Sequence, residues 1–209
     1  MKKLSILIVC LFIPLSSFAG TGFAGSTLGI APLFGRSAAV SGTYSTNQKS
    51  ADILQPGMVY GVSFSRRLSS YYRIEVQGIY TYLIFKKADR PNVLRKQAYV
   101  LSGIVFSNNL QLNFRRLTIY VPLGVGIYFW KYTQDGPASD VILYEGEKLH
   151  KMSPGFSTGL GFSFKINRHF SVFGDSRYHF ILSKDKFFFG NDFTEQGLLL
   201  STAGFRFWF

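Results

Sequence analysis

Residues 199–209 read Leu-Leu-Ser-Thr-Ala-Gly-Phe-Arg-Phe-Trp-Phe. In an extended chain, successive side chains point to opposite faces. Leu199, Ser201, Ala203, Phe205, Phe207 and Phe209 therefore fall on one side, and Leu200, Thr202, Gly204, Arg206 and Trp208 on the other. The first face ends in a row of rings, while the second carries an arginine, a glycine and a threonine. A strand with one face in hydrocarbon and the other toward an enclosed, partly polar interior has this pattern.

The same period recurs upstream. Tyr72–Ile84 sets Ile74, Val76, Tyr80, Tyr82 and Ile84 against Arg73, Glu75, Gln77 and Thr81. In 152–166, Phe156, Leu160, Phe162, Phe164 and Ile166 oppose Ser157, Gly159, Gly161, Ser163 and Lys165. In 170–182, Val172, Tyr178 and Phe180 oppose Ser171, Asp175, Arg177 and His179. Segments 22–34, 58–64 and 117–131 alternate as well, with Leu28, Tyr60 and Ile119 among their outward residues. Segment 97–114 is apolar on both faces, so its orientation stays open.

Connection lengths alternate too. Those at 67–71, 115–116 and 167–169 are short, and those at 35–56, 85–96, 133–150 and 183–196 are long and polar. The prediction is an all-β fold, a closed antiparallel eight-stranded up-and-down transmembrane β-barrel with both termini on the short-turn side. A soluble barrel would reverse the faces, burying Arg73, Glu75, Asp175, Arg177 and Arg206 in an apolar core and exposing a continuous apolar belt to water. Pro32, Pro122 and Pro154 fall inside expected strands and count against the map, because proline donates nothing to a ladder.

Composition agrees. The chain has 209 residues with 22 Phe, 12 Tyr and only 16% charged residues, more ring surface than one domain of this size encloses. The formal charge of +12 falls to about +10 without Lys2 and Lys3, but the cations are scattered over turns and loops, which argues against a nucleic-acid partner. Met1–Ala19 reads as a signal peptide: Lys2 and Lys3, the apolar run 4–15, then Ser17-Phe18-Ala19 before Gly20. The division expected is 1–19 signal peptide and 20–209 barrel domain. The one cysteine, Cys10, lies in the leader, so neither a disulfide framework nor a cysteine metal site is expected. No metal or other cofactor is expected.

The strand map and the terminus resemble the small eight-stranded outer-membrane barrel family, the group of OmpA-type and OmpX-type barrels. The residues that carry the resemblance are Thr202-Ala203-Gly204-Phe205-Arg206-Phe207-Trp208-Phe209, which look like that family's carboxyl-terminal assembly signal. The resemblance implies that Thr202, Gly204, Phe207 and Phe209 are read by the barrel assembly machinery. It also implies residence in the outer membrane of a Gram-negative-type bacterium, among its lipid and lipopolysaccharide. A monomer is expected.

The inward groups Arg73, Glu75, Lys165, Asp175, Arg177, His179 and Arg206 form a candidate lumen charge network. They read either as an ion-pair plug or as the lining of a narrow gated pore; eight strands leave an interior just filled by side chains. A lipid A-modifying enzyme is a further reading, with His179 as its base. Ser176, an odd number of residues away, should face opposite to it. The lipid A deacylase family carries His-x-Ser-Asn, whereas Phe180-Ile181 follow His179 here, so no enzyme activity is expected. The long loops and the strand ends beside them hold Lys49, Lys86, Lys87, Arg90, Arg95, Lys96, Lys131, Lys148, Lys151, Lys184 and Lys186, candidates for binding lipopolysaccharide phosphates. A structural or surface-exposed role, toward lipopolysaccharide or toward host and extracellular partners, is the function expected. Amino-terminal sequencing of the exported protein is expected to start at Gly20; an intact leader would refute the cleavage site.

Overall fold

The computed structural model describes residues 28–45, 48–86, 97–144, 146–183 and 194–209. The expected leader, 1–19, lies outside them. Eight long strands make the wall: β1 (Leu28–Ser41), β2 (Gly57–Arg67), β3 (Tyr72–Ile84), β4 (Ala98–Phe114), β5 (Leu117–Thr133), β6 (His150–Lys165), β7 (Phe170–Ile181) and β8 (Gln196–Trp208). Each pairs antiparallel with its sequence neighbours, and β8 pairs with β1, from Gly29↔Trp208 to Ser41↔Gly197, closing the barrel.

Strand positions follow the alternation, with one clear departure. The first strand runs to Ser41 instead of stopping at Phe34. Residues 35–39 are mostly small and carry little pattern, yet Ser37 turns inward and shares a 2.6 Å hydrogen bond with Thr81, and the backbone stays paired on both sides. The orientation left open for the fourth strand is settled by its neighbours: Tyr99, Leu101, Val105, Ser107, Asn109 and Gln111 are buried, whereas Ile104, Leu110 and Leu112 are exposed. Prolines sit inside strands after all. Opposite Pro32 the β1–β8 ladder skips the pairs between Ile30↔Phe207 and Leu33↔Gly204, and opposite Pro122 the β5–β6 ladder skips those between Thr158↔Leu123 and Gly161↔Tyr120. In both places the register resumes unshifted, so each proline removes rungs without forcing a bulge.

At one end the turns are tight, with Arg115 and Arg116 alone joining β4 to β5. At the other end the loops fold over the mouth. Residues 43–45 and 48–49 form a small hairpin followed by a one-turn helix, Ser50–Ile53. Ile53, Leu54 and Leu149 are buried there. Segments 87–96 and 184–193 of the long loops lie outside the described residues.

The outer wall is apolar all round. Phe34, Phe64, Val76, Ile104, Leu112, Ile119, Leu123, Phe129, Leu160, Phe162, Phe205 and Phe207 are among the residues that face outward and are exposed. Such a continuous belt is far larger than a water-soluble monomer tolerates, and in hydrocarbon a closed barrel pairs the backbone groups that an open sheet would strand. The chain is a membrane-spanning barrel. Replacing the outward Leu123 by Arg is expected to lower stability by about 2–4 kcal/mol in lipid vesicles, read by denaturant unfolding. An unchanged midpoint would mean that this wall does not face lipid.

Candidate functional site: the barrel lumen

The interior is built in two storeys. In the turn-end storey, Glu75 from β3 is the hub. Its Oε1 accepts from Arg177 Nη2 at 2.6 Å and its Oε2 from Arg206 Nη2 at 2.7 Å, while Arg73 Nη2 lies 3.7 Å from Oε2. Asp175 takes the other side of Arg177, Oδ2 accepting from Nη2 at 2.7 Å and from Nε at 3.1 Å. Tyr120 donates to the same carboxylate at 3.1 Å and Thr202 at 2.9 Å. Arginine planes also lie over rings: Arg73 over Tyr120 at 4.6 Å, and Arg206 over Phe173 at 4.6 Å. All five charged groups are buried. Burying charges this deeply is tolerable because each carboxylate is shared and hydrogen-bonded.

In the loop-end storey the interior is aromatic instead of charged, so rings fill this part of the lumen as well as the outer wall. Tyr99, Tyr128, Trp130 and Tyr132 are all buried at 0–1% exposure. Tyr99 and Tyr132 pack at 4.9 Å between ring centroids, and Trp130 and Tyr132 at 6.2 Å, edge-on. Indole nitrogen Nε1 of Trp130 donates to Ser153 at 3.1 Å. Leu33, Leu83, Leu101, Ile181 and Leu198 fill the spaces between. Inward glycines make this packing possible. A Cβ on Gly103 or Gly155 would lie 2.8 Å from the Tyr128 ring, and one on Gly161 would lie 2.4 Å from Tyr120. Large rings on one strand occupy hollows that glycine leaves on the next.

His179 sits where the storeys meet. Its Nδ1 lies 2.8 Å from the Tyr128 hydroxyl, with the rings edge-on at 5.8 Å. Ser176 points out of the barrel and shares a 2.8 Å hydrogen bond with Ser201 on the outer wall, so histidine and serine lie on opposite sides of the sheet. Of the candidate network, the structure brings together Arg73, Glu75, Asp175, Arg177 and Arg206, and pairs His179 with a tyrosine. It leaves Lys165 apart: this lysine is the last residue of β6, exposed at the turn-end mouth. Parity gives the face of a residue but not its depth along the axis. Tyr120, Tyr128, Ser107 and Thr202 belong to the cluster too. The signal for the first two was their inward parity beside Gly161, Gly103 and Gly155 on flanking strands.

On β8, Thr202 and Gly204 face inward and Phe207 and Phe209 outward. A Cβ on Gly204 would lie 2.2 Å from the Pro32 carbonyl oxygen, and Phe207 packs edge-on against Phe170 at 5.1 Å.

Glu75→Gln removes the shared charge and leaves three guanidiniums facing one another. It is expected to cost about 3–5 kcal/mol, with partial recovery when Arg206→Met is added. Thermal unfolding followed by heat-modifiable gel migration reads both; wild-type stability of the single variant would mean that the cluster does not hold the barrel.

No protein-family model matches the sequence, and no curated protein matches it. Solved structures do. The chain is similar to the Neisserial surface protein A, with a TM-score of 0.57 at 14% identity over 87% of this chain and 97% of that one. It is also similar to Ail, the attachment invasion locus protein of Yersinia pestis, solved in complex with the heparin analogue sucrose octasulfate, with a TM-score of 0.50 at 15% identity over 88% and 99%. Strand count and closure agree with these likenesses: the chain has the fold of the small eight-stranded outer-membrane barrels.

Proposed function

We propose that this protein is an outer-membrane surface protein that acts through its outer face and not by passing solutes through its lumen. One observation carries the reading. Side chains fill the interior from the ionic cluster, through the Tyr128–His179 pair and the aromatic storey, to the buried Ile53, Leu54 and Leu149 beneath the loops. The loop end is further tied by Ser50 Oγ donating to Gln196 Oε1 at 2.6 Å and Gln196 Nε2 donating to the Thr43 carbonyl at 3.1 Å. On this reading the short turns face the periplasm and the long loops face outside.

Contact with lipopolysaccharide phosphates is the interaction proposed for the outer rim. Lys131 and His150 pair across β5 and β6, one step beyond the exposed Phe129 and Met152 of the apolar belt. That is the height at which a cation meets anionic head groups. The likeness to Ail, solved in complex with a heparin analogue, supports an anionic partner. Thr202, Gly204, Phe207 and Phe209 are proposed as the contacts of the assembly machinery, and the protein as a monomer.

Reconstituted in planar bilayers, the protein is expected to give no discrete conductance steps; regular openings would replace this reading with a narrow pore. Association with phosphorylated lipid A is expected to exceed that with its dephosphorylated form and to weaken with salt, and Lys131→Gln with His150→Gln to reduce it. Equal association with both forms would remove lipopolysaccharide as the partner.

A further inference from the structure

The basic excess of the chain is unevenly placed. Apart from Glu75 and Asp175 in the lumen, every Asp and Glu belongs to the sequence of the four long connections, where they offset most of the lysines. The turn end carries Arg66, Arg67, Arg115, Arg116, Lys165 and Arg168 and no Asp or Glu. Four of these, Arg67, Arg115, Arg116 and Lys165, line a cavity of about 190 Å³ that opens at the turn-end mouth, with Trp208 on its wall. Arg67 Cζ lies over the Trp208 ring, 4.4 Å from its centroid, a contact that helps to orient the guanidinium at the mouth.

The floor of this cavity is Arg73, only 2% exposed. Its Nε has no hydrogen-bond partner among the described residues, and its Nη2 has only the 3.7 Å contact with Glu75. Deeper in, Arg206 Nε and Nη1 also lack a partner. The buried cluster thus sets three guanidiniums against two carboxylates, and the surplus charge faces the mouth. Unsatisfied buried guanidinium donors are costly, and an oxyanion in the cavity would set a counter-charge against Arg73, which lines it.

We infer that the turn-end mouth is a binding site for a phosphate group, held by Arg67, Arg73, Arg115, Arg116 and Lys165. One arginine satisfies a carboxylate through paired hydrogen bonds. Five cations from three hairpins converging on one small cavity match a multiply charged tetrahedral oxyanion instead. Arg115 adds a second sign. It occupies the left-handed region at φ 53° in a two-residue hairpin turn, a position that asparagine or glycine takes with less strain. That phosphate chemistry has two sources, a phospholipid head group of the adjoining leaflet and a soluble phosphate.

The test uses the full folded chain in a phosphate-free detergent. Inorganic phosphate is titrated against chloride at matched ionic strength, with tryptophan fluorescence and the heat-unfolding midpoint as readouts. A saturable change specific to phosphate is expected. Arg67→Gln and Arg115→Gly should each raise the half-saturating concentration about tenfold, the loss of one charge-assisted hydrogen bond. Arg115→Gly also removes backbone strain, so its loss of binding cannot be a folding defect. Arg36→Gln, on the outer wall and away from the cavity, should bind as wild type. A second arm places the protein in galactolipid vesicles with and without phosphatidylglycerol. Response to phosphate alone identifies a soluble ligand, response to phosphatidylglycerol alone a head group, and response to both a site that reads the phosphate whatever carries it. A response no greater than that to chloride in either arm, or one that Arg67→Gln and Arg115→Gly leave intact, overturns the inference.

Discussion

Closure of the hydrogen-bonded ladder is the constraint on which the rest of this structure depends. A strand in hydrocarbon has no water to pair its backbone, so any unpaired edge would be prohibitive. The chain meets this by bringing β8 back to β1 over most of their length. Once the wall is closed, period two sends half of every strand inward to a space that eight strands make narrow. Everything inside must then fit, and everything charged inside must be paired.

Two solutions share that space. Near the turns, Glu75 and Asp175 knit three arginines from three strands into one cluster. Near the loops, the Tyr128 ring of β5 nests over glycines of β4 and β6, and Tyr99 packs against Tyr132. Both fill the lumen, but they differ in character. The ionic storey is specified by geometry and fails if one partner is lost, whereas the aromatic storey gains from burial and contact area.

The wall was legible because its physics is stark. Phe205 and Arg206 cannot exchange faces, and every strand with a clear apolar and polar side could be placed by that rule. The lumen was legible only in part. Charge marked Arg73, Glu75, Asp175, Arg177 and Arg206, since an ionised group has no place against lipid. Aromatics carry no such mark: Tyr99 and Trp130 suit lipid or a packed interior equally, and in the fourth strand apolar residues on both faces hid the orientation until Tyr72–Ile84 and Leu117–Thr133 flanked it. Lys165 shows the other limit, since alternation is blind to how far along the axis a side chain lies. The extension of the first strand to Ser41 escaped notice because small residues suit strand and loop alike.

Ser176 and Ser201 hydrogen-bond on the outer wall, and Arg36, paired in register with Ser201, is the next outward residue beside them. On β5, by contrast, outward apolar residues run from Leu117 to Phe129 before Lys131. Beside the β1–β8 seam the greasy band is therefore broken by a polar patch, and Val40 and Leu199 resume it beyond, whereas on the far side it is continuous. A charged side chain within the hydrocarbon is accommodated by local thinning of the bilayer and by water drawn in toward it. The lipid annulus is thus uneven, well ordered against the unbroken wall and thinned and wetted where Arg36 meets it.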